Sequence, residues 1–150
     1  MTSQLALVAA IGLIASAEDL WRRNISNWIP VTALCAGIAW HAWQHGWSGV
    51  GTALLGAVGG FAVFLLFYLF GGMGGGDVKL MAGFGALIGT SHLLQAALWT
   101  AILGALLACG VMAFHAIRAR LWANGVSESP KSIPYAPAIA AGVLLSLVPR

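Results

Sequence analysis

Two carboxylates stand apart in this sequence. Asp77 follows a glycine run, Gly71-Gly72-Met73-Gly74-Gly75-Gly76, and precedes Val78-Lys79-Leu80. Asp19 closes an apolar stretch and precedes Leu20-Trp21-Arg22-Arg23-Asn24-Ile25-Ser26-Asn27. The chain has only 4 Asp and Glu in 150 residues, and a carboxylate beside hydrocarbon is costly enough to need a reason. Two carboxylates facing each other at the edge of an apolar pocket cannot both ionise comfortably, so they share a proton. The ionised member can then activate water while the protonated member polarises a peptide carbonyl, which is aspartic protease chemistry. A simpler reading stands beside this one: Asp19 pairs with Arg22 or Arg23, and Asp77 caps a helix. Residue type and spacing leave both open.

The elements that must position these groups follow from composition. Of all residues 60% are hydrophobic and 7% are charged, where a soluble domain has about a quarter charged. The chain reads as an all-α, polytopic membrane protein, a single membrane-embedded domain over residues 1–150. It has room for roughly six spans at about 20 residues each. The expected spans are Leu5 to about Leu20, Trp28 to about Trp43, Val50 to Phe70, Val78 to Gly89, Leu93 to Ile117, and Ile133 to Val148. The fourth is short, about 12 residues, too few to cross a bilayer alone. Pro30 is tolerated in the first turn of the second. Arg118 to Ser132 is the one long polar loop. Leu5 to Ala17 resembles a signal-peptide core with a cleavage site at Ala15-Ser16-Ala17. The leading Met1-Thr2-Ser3-Gln4 lacks Lys and Arg, however, so this segment is read as a retained first span.

Charge sets the orientation. With six spans, one side receives Arg22, Arg23, Lys79, Arg118, Arg120 and Lys131, and the other only Arg150. The positive-inside rule makes the first side cytoplasmic and turns both termini outward. Glu18, Asp19, Asp77 and Glu128 fall on the same cytoplasmic side. Trp21, Trp28, Trp40, Trp43, Trp47 and Trp122 lie near span ends, where indoles favour the interface. His41 and His45, one helical turn apart, lack a third ligand and are read as interfacial. Cys35 and Cys109, in apolar runs without a CxxC partner, are read as inert packing residues. No metal, cofactor or nucleic-acid partner is expected. Gly56 and Gly60 form a GxxxG suited to close helix packing.

The motifs carry a resemblance. Gly74-Gly75-Gly76-Asp77 fits the GxGD pattern of intramembrane aspartyl proteases. The longer run through Val78-Lys79-Leu80 resembles the type IV prepilin peptidase family. Asp19 with Ile25 and Asn27 resembles that family's first motif, with Ser26 where proline is usual. Ile133-Pro134-Tyr135-Ala136-Pro137 resembles its last span, with Ala136 replacing a glycine. The resemblance implies that Asp19 and Asp77 are the catalytic pair. It further implies a pilin-like precursor as substrate, cut after a glycine on the cytoplasmic side of its hydrophobic segment. With no zinc-cysteine insertion beside Asp19, the chain looks like the short, peptidase-only form associated with Flp-type pili of Tad/Cpa systems.

Within that scheme, Gly74 and Gly76 permit a bend and close approach of a substrate strand to Asp77. Lys79 either orients Asp77 or snorkels to the interface. Asn27 either bonds near the site or caps the second helix. Glu18 points about 100° from Asp19 on a helix and is treated as a surface residue. The helix dipoles favour the anion on Asp77, at a helix N-terminus, and the proton on Asp19, near a C-terminus. The rival class is a non-catalytic subunit of a pilus platform or a small transporter. A transporter would usually hold its ionisable groups near the midplane, whereas here they gather at one face.

Overall fold

A chain this apolar offers its backbone few polar side chains, so helix is the economical way to satisfy every N–H and C=O. The computed structural model describes residues 2–70, 73–121 and 134–148. They form α1 (Thr2–Arg22), α2 (Trp28–Leu69), α3 (Gly75–Leu121) and α4 (Ala136–Ser146), with no strand among the described residues. Three helical stretches, Ser3–Arg22, Trp28–Leu69 and Gly75–Arg118, are long and apolar enough to cross a membrane.

Two of these helices are broken by glycine. Gly46 has φ 59° and Gly89 φ 69°, both outside the helical region. Such a backbone is open to glycine at little cost and strains any residue with a Cβ. The expected second and third spans are thus one helix bent at Gly46, and the fourth and fifth one helix bent at Gly89. The last helix starts at Ala136. Ile133, Glu128, Lys131, Trp122 and Arg150, to which expectations were attached, lie outside the described residues, as does most of the polar loop. The first residues of that loop continue α3 to Leu121.

Close contacts give each segment its direction. Residues 28–45 run in the same sense as residues 75–88: Gly83 lies against Pro30 and Ala33, and Gly37 against Ala86 and Leu87. Residues 47–69 run the opposite way, with Gly60 against Met81 and Gly56 against Gly85. So α2 is a helical hairpin folded back at Gly46, and its two arms flank residues 75–88. The chain reverses again at Gly89, beside His41 and Thr52. Residues 90–121 then return alongside residues 47–69 and antiparallel to α4: Leu93 meets Gly59, Thr100 meets Gly142, and Gly104 meets Tyr135. Finally, α1 is antiparallel to α4, with Gly12 beside Ala140. The six helical segments of the described residues therefore alternate in direction.

Small residues make this packing possible. A Cβ on Gly60 would stand 2.6 Å from the Met81 carbonyl oxygen, and one on Gly56 or Gly85 would collide with the other's carbonyl. Where surrounding lipid is as apolar as leucine, helices are held by such close approach and its dispersion contacts. The Gly56–Gly60 pair is thus a packing seam. The core beneath it contains Phe64, Leu80, Met81, Phe84, Leu87 and Ile139, all at 1% exposure or less. Large apolar residues such as Leu55, Val58, Leu94 and Leu98 point outward, as a lipid-facing surface requires. Trp21 and Trp28 mark one end of the bundle and Trp43 and Trp47 the other, all four exposed. That arrangement matches indoles at two interfaces.

The break at Gly89 has its own accommodation. The Leu87 carbonyl accepts a hydrogen bond from Gln4 Nε2 at 2.7 Å and lies 3.2 Å from His41 Nε2. His41 therefore serves the helix break as well as lying near the interface. Cys35 and Cys109 are exposed rather than packed inside, because their helix faces turn outward.

Candidate active site

Asp77 is the third residue of α3, one turn past Gly74. Its Oδ2 accepts the Gly74 backbone N–H at 3.1 Å, and its own N–H donates to the Gly74 carbonyl at 3.1 Å. A carboxylate reaching back to the N–H at the head of its own helix is half of a capping box. The capping reading of Asp77 is therefore correct as local structure. Among the described residues no hydrogen bond engages its second carboxyl oxygen.

Asp19 lies in the last turn of α1, where its backbone carbonyl accepts the Arg23 N–H at 2.8 Å. Arg23, with φ 50°, is the one non-glycine residue at positive φ among the described residues. It ends the helix in the left-handed conformation common just past helix C-termini. The Asp19 side chain does not pair with Arg22 or Arg23. Its Oδ2 accepts the backbone N–H of Ala136 at 3.1 Å, the first residue of α4. Arg22 instead faces Glu18, 3.8 Å away.

Both carboxylates are therefore at helix N-termini: Asp77 at its own, Asp19 at that of α4. The dipole asymmetry expected from the sequence disappears, because the α4 terminus offsets the α1 terminus at Asp19. Each aspartate is 7% exposed, and both lie at the end of the bundle that carries the Ile25–Gly76 and Lys79–Asn27 contacts. Burial at that level excludes a solvated surface charge, and each carboxylate keeps one backbone hydrogen bond as partial compensation.

The remaining expected residues gather at the same end. Gly76 faces Ile25, whose Cβ is 3.4 Å from where a Gly76 Cβ would be. Lys79 Nζ donates to Asn27 Oδ1 at 2.9 Å, at an exposed position. Lys79 thus ties α3 to the start of α2 and makes no ion pair with Asp77 among the described residues. Asn27 occupies the N-cap position of α2 without a side-chain capping bond, since its amide oxygen is turned to Lys79. Gly74 contributes its N–H, as above.

Two participants were not anticipated. The Ala136 N–H was missed because its role depends on the distant α4 reaching Asp19. The available signal was Pro137, which suits the first turn of a helix whose leading N–H groups lack intrahelical partners. Glu18 was read as a surface residue, yet it is half-buried. It accepts the Ser26 backbone N–H at 3.1 Å and a short hydrogen bond from the Ser26 hydroxyl. An i+8 spacing across a helix end has no periodic signature.

An apolar cavity of about 150 Å³ is lined by residues that include Phe64, Phe67, Met73, Thr100, Gly104 and Tyr135, and by neither aspartate. Met73 precedes the residue that holds Asp77, and Tyr135 precedes the one that holds Asp19. Among the described residues, no group of three His, Cys, Asp or Glu could hold a metal ion.

Alternating apolar helices with two buried carboxylates brought to one end define a helical membrane protein with its buried charge at that end. The sequence has counterparts among known proteins. The chain belongs to the type IV leader peptidase family, whose family model matches residues 6–109. It is similar to a prepilin leader peptidase/N-methyltransferase of Burkholderia pseudomallei (strain 1026b), 32% identical over 149 residues, covering 91% of this chain and 45% of that protein. A Bacillus subtilis (strain 168) protein of the same description is 34% identical over 95 residues, 62% of this chain and 34% of its own. A preflagellin peptidase of Methanocaldococcus jannaschii is 40% identical over 86 residues, 55% of this chain and 37% of its own. The chain thus spans less than half the length of these curated relatives. No solved structure matches it.

Proposed function

We propose that this chain is a membrane aspartic endopeptidase that removes the leader peptide of pilin-like precursors, type IV or Flp prepilins. The observation that carries the reading is that Asp19 and Asp77, the two buried carboxylates among the described residues, lie at one end of the bundle, each held by one backbone N–H. Family membership supplies the substrate class, since relatives are described as prepilin and preflagellin peptidases.

In this reading the two aspartates share one proton. The ionised carboxylate takes a proton from a water as that water attacks the scissile carbonyl carbon. The protonated carboxyl donates to the carbonyl oxygen as it gains negative charge. Collapse of the tetrahedral intermediate returns a proton to the leaving amine and regenerates the shared pair. The Gly74 and Ala136 N–H groups hold one oxygen of each aspartate, so the opposite oxygens are oriented before substrate arrives, which lowers the cost of positioning. Glycine at 74 adds no side chain of its own beside Asp77, and glycine at 76 leaves room for Ile25.

The catalytic end carries Arg22, Arg23 and Lys79, and by the positive-inside rule it faces the cytoplasm across the inner (cytoplasmic) membrane, with six crossings and both termini outward. The segment 75–88 is about 21 Å long at 1.5 Å per residue, shorter than the roughly 30 Å hydrocarbon core. A short fourth span would let Asp77 reach water from within a thinned region of protein.

The test is cleavage of a purified pilin precursor by purified protein in detergent, with product masses read by mass spectrometry. The reading expects one cut, just before the hydrophobic segment. An intact precursor, under conditions where both proteins remain folded and mixed, would favour a non-catalytic platform subunit or a transporter.

A further inference from the structure

Residues 23–27 join α1 to α2 and carry two contacts that reach across to the first turns of α3. Ile25, 7% exposed, is seated on Gly76, and Asn27 holds Lys79. Both contacts flank Asp77, while the loop itself springs from the helical turn that carries Asp19. The loop therefore links the turn that carries Asp19 to the residues on either side of Asp77.

The loop's backbone bonds are Arg23 N–H to the Asp19 carbonyl, Ile29 N–H to the Ser26 carbonyl and Val31 N–H to the Asn27 carbonyl, and the last two tie it forward to α2 only. What ties Ser26 back to α1 is Glu18. One carboxyl oxygen accepts the Ser26 N–H at 3.1 Å and the other accepts the Ser26 hydroxyl. Arg22, itself largely exposed, approaches the same carboxylate at 3.8 Å. The Glu18 side chain is only 15% exposed. Hydrogen bonds to an ionised acceptor are roughly twice as strong as neutral ones. A half-buried carboxylate with both oxygens committed to one residue is a clamp rather than a solvated charge.

We propose that Glu18, acting through Ser26, is a positioning residue: it locks the loop 23–27 so that Ile25 and Asn27 hold the head of α3, and with it Asp77, in register with Asp19. This rests on the protease reading above. Glu18 does not touch the reacting atoms, so its loss leaves precursor binding intact and slows the chemical step.

The full-length purified protein tests it in four variants: Glu18→Ala, Glu18→Gln, Ser26→Ala and the double variant Glu18→Ala/Ser26→Ala. Two readouts are taken, steady-state precursor cleavage and hydrogen exchange at the Ser26 amide. Glu18→Ala is expected to lower kcat about ten- to hundredfold, the loss typical when a group that orients a reacting residue is removed. KM should stay within about twofold, because binding contacts are untouched. Glu18→Gln keeps an amide oxygen for one Ser26 donor and should lose less. The double variant should be no slower than Glu18→Ala, since both changes open one clamp. Exchange at Ser26 should quicken in Glu18→Ala while the middle of α1 stays protected. Wild-type kcat in Glu18→Ala, or losses that multiply in the double variant, would overturn the proposal. If the wild-type protein cleaves no precursor, the protease reading fails by itself. The exchange measurement still decides the clamp, and unchanged Ser26 protection in Glu18→Ala overturns it.

Discussion

The Asp19 carboxylate accepts the backbone N–H of Ala136, 117 residues along the chain, at 3.1 Å. This one bond makes α1 cap α4 and brings the last described helix to the site. A carboxylate used that way by a purely structural protein would be a poor choice. Asparagine offers the same acceptor without the cost of a buried charge.

That comparison gives the first prediction. Asp19→Asn and Asp77→Asn each preserve an oxygen to accept the Ala136 or Gly74 N–H, and each removes a buried ionisable group. Both variants should lose activity while holding or raising their melting temperature in detergent, by about 2–4 °C per kcal/mol relieved. A melting temperature lowered by that amount in either variant would mean that the carboxylate is kept for stability.

Gly76 separates activity from folding in a different way. A Cβ there stands 3.4 Å from the Ile25 Cβ, at the edge of ordinary van der Waals contact, so alanine just fits and a larger side chain must push the loop. Gly76→Ala should keep its melting temperature and cut kcat several-fold, and Gly76→Val should cut it further. The measurement is cleavage rate alongside thermal unfolding. Full activity in Gly76→Val would show that neither Ile25 nor substrate depends on an open position here.

The contact between Lys79 and Asn27 is exposed, which limits its worth to about 0.5–1.5 kcal/mol. Lys79→Met and Asn27→Ala should therefore reduce cleavage by similar factors, about two- to tenfold on that energy. The double variant should be no worse than either alone. A far larger loss from Lys79→Met than from Asn27→Ala would reveal a separate task for the ammonium group.

Packing at the Gly56–Gly85 contact is one of the tight points of the scaffold. Either Cβ would collide with the facing carbonyl, and neither backbone can retreat without opening the α2–α3 seam. Gly56→Val should destabilise the protein by at least about 1–3 kcal/mol, the usual cost of overpacking. Gly51→Val on the same helix, where a Cβ meets nothing within 4 Å, is the control. Equal melting temperatures for the two variants would contradict the packing described here.

Local features were the legible ones. The glycine run and Asp77 are contiguous, so the cap and the helix start could be read from neighbours alone. The apolar segments and their alternation were visible in composition, and the glycine breaks at Gly46 and Gly89 fall where boundaries were expected. What the sequence could not reveal depends on residues meeting across the fold. The dipole argument for Asp19 used only α1, and the α4 N-terminus removes the asymmetry it relied on. Glu18 looked solvent-facing because helical periodicity ends at Arg22, while its partner Ser26 lies beyond the turn. Asn27 had two readings that differ only in where Lys79 points, and that direction is set by tertiary packing.

The central claim is that Asp19 and Asp77 together cut the precursor. Its most direct test is a cleavage assay with purified wild-type protein, Asp19→Ala and Asp77→Ala on the same pilin precursor, each variant first shown to be folded. Wild type should release the leader peptide, and either single substitution should abolish release. Cleavage that survives in either variant would contradict the two-aspartate mechanism.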